Sequence, residues 1–354
     1  MHKKIIFCSV GILLLIALPN FAIKKDNPFE NIKDKILKFF NIQKPKIFIG
    51  PPVSDTMTPG LINSPISNNF TLGPGDYDFS LKVGSATRKY LIHIPNSYKK
   101  IIQAPLVMAF HGGLGNSSTM TNDERFQWIS KSNAEGFIVA FPNGASRRAD
   151  GTLATWNAGN CCGYAVESKS DDVGFVKEVI KDVESKFNIN KNKVFATGMS
   201  NGGMMDYRLA CEMSDTFSAI ASVAGTDNFD GCIFKKPISI MHIHSLVDQH
   251  VLFNGGCGPQ CISLKAEADF TSVPETISRW VKRNKCIGNP LKVTKDTGAY
   301  CETYSRCAND VKVKLCVTDD GGHSWPGGAP VSGGTPVSQK INPTDEIWNF
   351  FKTR

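Results

Sequence analysis

The β-branched and aromatic run at residues 193–197 gives way, across Gly198-Met199-Ser200-Asn201-Gly202, to a helix-like stretch at 203–211. A strand that bends into a helix within five residues needs small side chains at the corner, and the flanking glycines make that corner sterically possible. The serine then stands on a sharp turn, where an adjacent base and backbone donors can activate it. With 31 glycines in the chain such a pentapeptide arises by chance. The strand before it and the helix after it are what turn the motif into a nucleophile elbow centred on Ser200.

Two further residues stand in the order such a site requires. A buried-strand pattern at 236–244 runs into Ser245-Leu246-Val247-Asp248, which puts the Asp248 carboxylate in the loop after the strand. An alternating strand at 311–317 runs into Thr318-Asp319-Asp320-Gly321-Gly322-His323 and delivers an imidazole from a glycine-permitted loop. Serine, aspartate, histidine is the chain order of α/β-hydrolases and differs from the orders in chymotrypsin-like and subtilisin-like enzymes. Asp248 is therefore the expected triad acid and His323 the expected base. A continuous apolar run at 105–110, the pattern of a strand covered on both faces, ends in His111-Gly112-Gly113. Oxyanion donors are expected from the amide of Asn201, after the nucleophile, and from that of Gly113.

These motifs, together with Trp156-Asn157, the adjacent Cys161-Cys162, Asp171-Asp172-Val173-Gly174-Phe175, His242-Ile243-His244 and Gly322-His323-Ser324-Trp325-Pro326-Gly327, resemble the extracellular polyhydroxybutyrate depolymerase-type esterases. That family is kin to secreted feruloyl and acetylxylan esterases. The resemblance covers about residues 78 to 354. It implies an α/β-hydrolase fold, a Ser200-Asp248-His323 triad and oxyanion amides on Asn201 and Gly113. One departure stands out: relatives usually carry His-Gly-Thr or His-Gly-Ser ahead of the acid, where this chain has His244-Ser245-Leu246. A differently shaped Asp248 loop is expected.

The N-terminus reads as a leader: Lys3 and Lys4 are followed by an apolar stretch at 5–18 and a small residue, Ala22, at a plausible cleavage point. The apolar stretch is shorter than the roughly 20 residues that span a bilayer, so export rather than membrane insertion is expected. Of eleven cysteines, ten remain once Cys8 leaves with the leader, an even number that in an exported chain implies disulfides. Connectivity is not readable from sequence, but Cys257 with Cys261, Cys286 with Cys307 and Cys301 with Cys316 are sterically attractive pairs. The remaining Cys161, Cys162, Cys211 and Cys232 would then pin the Trp156 loop to the elbow helix, the two adjacent cysteines reaching separate partners. Neither metal nor other cofactor is needed for the expected chemistry. His242 and His244 alternate on a strand without a third ligand and read as packed core histidines. The formal net charge of +8, or +6 without Lys3 and Lys4, is scattered rather than striped with aromatics, so no nucleic-acid partner is expected.

Residues 1–22 are thus the leader, and 23–75 an N-terminal extension, Pro-, Ser- and Asn-rich after a short amphipathic stretch at 31–40. That stretch reads as a satellite helix or an arm. Residues 76–354 form the catalytic domain, with no internal repeat and no appended polymer-binding module. An opening hairpin at 79–83 and 89–94, strands at 137–141 and 219–223, and helices near 118–132, 172–187, 203–213, 274–284 and 344–352 alternate. This predicts an α/β fold with a mostly parallel central sheet, helices on both faces and disulfide-stapled loops. Asp171 and Asp172 read as the start of the 172–187 helix. Trp156 and Tyr164, in a cysteine-stapled loop, and Trp325, two residues after the base, are candidates to line the acyl pocket. The expected function is a secreted serine ester hydrolase of the polyhydroxybutyrate depolymerase type. Feruloyl or acetylxylan esterase activity on plant-wall polysaccharide is the alternative. A catalytically silent binding protein on the same scaffold, or a peptidase using the same triad, are readings of other classes.

Overall fold

The ten strands β1 (Gly75–Val83), β2 (Ala86–Ile94), β3 (Ala104–Phe110), β4 (Ile138–Pro142), β5 (Ile189–Met199), β6 (Ala219–Val223), β7 (Ser239–Ser245), β8 (Leu291–Asp296), β9 (Ala299–Tyr304) and β10 (Val313–Thr318) form one sheet. This is a computed structural model, and it describes residues 72–261, 269–330 and 336–354. The leader, the extension up to residue 71 and the amphipathic stretch at 31–40 lie outside the described residues. Residues Asn68–Arg354 group as one unit. The strand order is β1-β2-β4-β3-β5-β6-β7-β10-β9-β8. Its centre, from β4 through β10, is parallel, while β1, β2, β9 and β8 pair antiparallel at the two sides.

A parallel centre buries both faces, and β3 shows how one strand serves two cores. Leu106, Met108 and Phe110 point into a core that includes Phe175, Val179 and Val183 of α5 (Asp172–Lys186), Tyr207 of α6 (Asn201–Glu212) and Trp280 of α7 (Val273–Arg283). Val107 and Ala109, on the opposite face, join Trp128 of α3 (Trp128–Glu135) and Ile347, Trp348 and Phe351 of α8 (Pro343–Phe351). Every residue of β4, β6 and β7 is buried, which accounts for their largely apolar sequences; the polar exceptions, such as Ser222, His242 and His244, are buried with them.

The expected helix over 118–132 is instead three pieces: α1 (Ser117–Met120), α2 (Asp123–Phe126) and α3. Asn122 restarts the chain by accepting a hydrogen bond from the Arg125 amide at 3.0 Å, the usual work of an N-cap. Gln127 then adopts the left-handed conformation, φ 57°, which ends α2. The hairpin of β8 and β9 was not anticipated as a pair of strands. All six residues of β8 are exposed, so the strand carries no apolar alternation to betray it. A short helix, α4 (Gly163–Glu167), was likewise missed.

Three of the expected cysteine pairs form: Cys257–Cys261, Cys286–Cys307 and Cys301–Cys316, the last joining directly opposed residues of β9 and β10. The other four pair differently from the expectation. Cys211 on α6 joins Cys232, with Cα atoms 5.1 Å apart, and this leaves Cys161 and Cys162 to each other rather than to separate partners. The Trp156 loop is held by hydrogen bonds instead. Asp171 caps α5 through the Gly174 amide at 2.8 Å. Its neighbour Asp172 is fully buried, taking the Asn157 amide at 2.8 Å and the Arg88 guanidinium at 2.7 Å.

Candidate active site

Because β3, β5, β7 and β10 run parallel, their C-terminal ends present four loops at one edge of the sheet, where α/β folds place their sites. The loops carry His111 to Gly113, Ser200, Asp248 and His323 respectively. They open on a cleft of about 1070 Å³ lined by Gly113, Ser200, Asn201, Val247, His250 and His323, among others.

Ser200 occupies φ 55°, ψ −121°, a backbone region that side chains avoid. The surroundings impose it. The Ser200 amide donates to the Val223 carbonyl of β6 at 2.8 Å, while its own carbonyl accepts from Met204 at 2.9 Å. The bend is crowded: a Cβ on Gly198 would sit 2.5 Å from the Gly202 carbonyl carbon, and one on Gly202 would overlap the Phe110 carbonyl of β3. Only hydrogen fits at either position, so the elbow is pressed against two neighbouring strands.

His323 Nε2 lies 2.9 Å from Ser200 Oγ, and His323 Nδ1 lies 2.8 Å from Asp248 Oδ2. Asp248 Oδ1 accepts from the amides of His250, at 2.8 Å, and Val251, at 3.0 Å. Burial would raise the pKa of this carboxyl, but hydrogen bonds from His244 and His323 and the charge they can carry outweigh it and hold Asp248 well below the ordinary carboxylate range. It is an anion throughout the working range, so the His323 nitrogen facing it carries the hydrogen. The other nitrogen is left to accept from the serine hydroxyl.

The substitution of serine for glycine after His244 has a visible consequence. Ser245 Oγ accepts from the Val247 amide at 3.2 Å and donates to the Asp320 carbonyl at 2.8 Å, so one hydroxyl ties the Asp248 loop to the His323 loop. Gly113 and Asn201 both line the cleft, and a Cβ on Gly113 would lie 3.6 Å from that of Asn201. The Asn201 amide begins α6, where helix geometry leaves an N–H without an intrahelical acceptor.

The aromatic candidates are corrected. Trp156 and Trp325 are buried, and neither they nor Tyr164 lines the cleft. Trp156 Nε1 donates to the His111 carbonyl at 2.9 Å, and its ring meets Phe110 edge-on. Trp325 packs on Phe126 and Trp128 and donates to Thr344 Oγ1 at 3.2 Å. Tyr164 stacks under the Arg147 guanidinium. Aromatic bulk near a catalytic motif is read equally well as packing, and here packing wins.

Some side-chain roles were not singled out by sequence. The Asn201 side chain accepts from the Trp156 amide at 2.7 Å and donates to the Trp156 carbonyl at 3.0 Å, locking the elbow to the next loop. His111 accepts from the Gly144 amide at 2.9 Å through Nε2, with Nδ1 2.8 Å from the Gly112 carbonyl, so its ring braces the oxyanion loop. His250 stacks on His323 with ring centres 4.6 Å apart. Burial, and then the charge His323 can bear, lower its pKa. His250 lies two residues past Asp248, which is the one cue its sequence position offered.

The Putative esterase family profile matches residues 85–260, a span that contains Ser200 and Asp248 and stops short of His323. Feruloyl esterase B of Piromyces equi is 31% identical over 249 residues, 67% of this chain. This chain belongs to the esterase family of the α/β-hydrolase superfamily. The match spans 42% of the Piromyces protein, less than half its length. A probable feruloyl esterase C of Aspergillus clavatus is 28% identical over 272 residues, covering 75% of this chain and 83% of that protein. Among solved structures, an acetyl xylan esterase from Aspergillus awamori shares the fold, with a TM-score of 0.51 and 15% identity over 75% of this chain and 94% of that one.

Proposed function

We propose that this esterase is an exported serine hydrolase that cleaves feruloyl or acetyl esters, with Ser200 as nucleophile, His323 as general base and Asp248 as the acid that orients it. The hydrogen-bonded line from Ser200 through His323 to Asp248, open to a cleft, is the observation that carries the reading. His323 takes the serine proton as Oγ attacks the ester carbonyl, and the amides of Asn201 and Gly113 receive the negative oxygen of the tetrahedral intermediate. The same imidazole, now protonated, gives its proton to the departing alcohol. Water then repeats the sequence on the acyl-enzyme and releases the acid.

The substrate class rests on the names of the relatives, which are feruloyl esterases. The cleft walls suit it: Phe126, Met204, Val247 and Phe270 offer apolar surface to an acyl group beside the polar catalytic edge. Five disulfides among the described residues fit an oxidising compartment. No helix among the described residues is long and apolar enough to cross a membrane.

Ser200→Ala is expected to abolish turnover of a short-chain nitrophenyl ester while leaving circular dichroism and thermal melting unchanged. Retained turnover would reject Ser200 as nucleophile. Side-by-side acid release from feruloylated arabinoxylan, acetylated xylan and polyhydroxybutyrate assigns the substrate. Release from polyhydroxybutyrate alone would replace the plant-wall reading with the depolymerase one, and binding to polymer with no acid released would make the protein a silent binder. Cleavage of peptides in preference to every ester would make it a peptidase.

A further inference from the structure

Behind Asp248, three side chains that take no part in the proton transfer form a buried line. The Tyr207 hydroxyl on α6 lies 2.7 Å from His242 Nδ1, and His242 Nε2 lies 3.0 Å from His244 Nδ1. His244 Nε2 in turn lies 2.8 Å from the Val251 carbonyl and 3.3 Å from Asp248 Oδ2. The two imidazoles lie edge to edge and nearly coplanar, their planes within 7°. None of the three residues is more than 2% exposed.

The line has a direction, set at its acceptor end. A carbonyl and an ionised carboxylate only accept, so His244 Nε2 carries a hydrogen. With His244 in the form that has its one N–H at Nε2, His244 Nδ1 accepts from His242 Nε2–H, and His242 Nδ1 accepts from the Tyr207 hydroxyl. Burial, and then the nearby His244, push the His242 pKa well below the ordinary imidazole range, against the weaker upward pull of Asp248, so the ring stays neutral. Reversing one bond alone would set two lone pairs or two hydrogens face to face among side chains shut off from bulk solvent.

We propose that His244 is a positioning residue for the esterase reaction, its one Nε2–H shared between the Val251 carbonyl and, at 3.3 Å, Asp248 Oδ2, and that Tyr207 and His242 lock the tautomer that puts the hydrogen there. The inference rests on the assignment of Asp248 as triad acid. The carboxylate is then held by hydrogen bonds from His323 and the amides of His250 and Val251, with the longer His244 contact beside Oδ2 as a fourth support. Its orientation matters most when His323 becomes positively charged and must stay aligned with Ser200. Removing the His244 N–H leaves Asp248 Oδ2 supported by His323 alone, with only the two amides on Oδ1 to fix the carboxylate plane.

The test uses the full-length protein, a short-chain nitrophenyl ester, and proton NMR of the low-field resonance from the His323–Asp248 hydrogen bond. His244→Leu is expected to lower kcat about tenfold or more with KM unchanged, in keeping with the loss of one hydrogen bond to a charged group. His244→Gln, which retains an N–H near the position of Nε2, is expected to recover part of the loss. Tyr207→Phe, nearly isosteric, is expected to lower kcat severalfold, and the resonance moves in all three variants. Wild-type kcat with an unmoved resonance in a folded His244→Leu overturns the proposal, as does a change confined to KM. Should His244→Leu fail to fold, wild-type behaviour of both His244→Gln and Tyr207→Phe overturns it equally. Ser200→Ala is assayed in parallel. Activity there sinks the triad itself, whereas an inactive Ser200→Ala beside a fully active His244→Leu sinks the positioning role alone.

Discussion

At Ser200 the backbone is forced into a conformation with positive φ because the chain on either side of it has no room to relax. Gly202 carries much of that constraint: any side chain there meets the Phe110 and His111 carbonyls at the end of β3. Gly202→Ala is therefore expected to destabilise the fold by about 3 kcal/mol, the upper part of the range for overpacking a rigid site. It should also displace the Ser200 hydroxyl. A urea midpoint and an ester assay on the same preparation check both, and a variant with wild-type values in each would mean that the strand and helix can separate at little cost. The motif glycines were legible in the sequence because they answer to a local demand. Trp156 was misread for the opposite reason: its indole is satisfied by a carbonyl from the loop after β3, at His111, and nothing local announces that partner.

Between elements, the outcome turned on how much of each one is covered. β3 and β4 declared themselves through unbroken apolar runs, and β6 and β7 through largely apolar ones interrupted by Ser222, His242 and His244, because both faces of all four are covered. β8, wholly exposed at the edge of the sheet, gave no such sign. Within the sheet it pairs with β9 alone, Lys295 also reaching Glu346 of α8 at 2.6 Å, and Cys301–Cys316 fastens β9 in turn to β10, which leads to His323. The bridge closes a loop of 15 residues. Replacing both cysteines with alanine should cost about 3 kcal/mol, the chain-entropy value for a loop of that length, read as a shift in denaturant midpoint. The same change should leave the Cys211–Cys232 region untouched. A loss of that size without loss of ester turnover per folded molecule would show that the bridge supports stability rather than the site. The 118–132 segment failed as a single helix because Asn122 and Gln127 satisfy the backbone locally in a broken form.

Over the whole molecule, acid sensitivity follows from groups buried neutral or paired as anions. His111, enclosed where β3, the Gly144 turn and the Trp156 loop meet, has its pKa lowered to about 4 by burial, against the upward pull of the Gly112 carbonyl, with a smaller lowering from Arg88. Its folded value is depressed below the ordinary 6.5, so as pH falls through that window the unfolded chain takes up the proton first. The stability His111 contributes is present above 6.5 and lost towards 4, on the order of 3 kcal/mol in all. Asp248, also depressed, adds a further loss only as pH drops below the carboxylate's unfolded value of 3.8 and on through its folded one. Thermal melts from pH 7 to pH 4 should therefore show Tm declining across the upper window. A flat profile there would mean that the His111 ring is protonated without penalty.

The strand-turn-helix at Ser200, the order of Ser200, Asp248 and His323, and the alternating α/β pattern could all be read from the chain because each is written in neighbouring residues: glycines at a bend, apolar runs of strand length, a carboxylate or imidazole just past a strand end. Which side chains face the cleft could not. That Trp325 turns inward, that Ser245 ties two loops together, and that Tyr207, His242 and His244 line up behind Asp248 depend on partners from 19 to 75 residues away in the chain. Such partners are chosen by packing and by the need to satisfy every buried polar atom, and that requirement acts only once the sheet has brought them within reach.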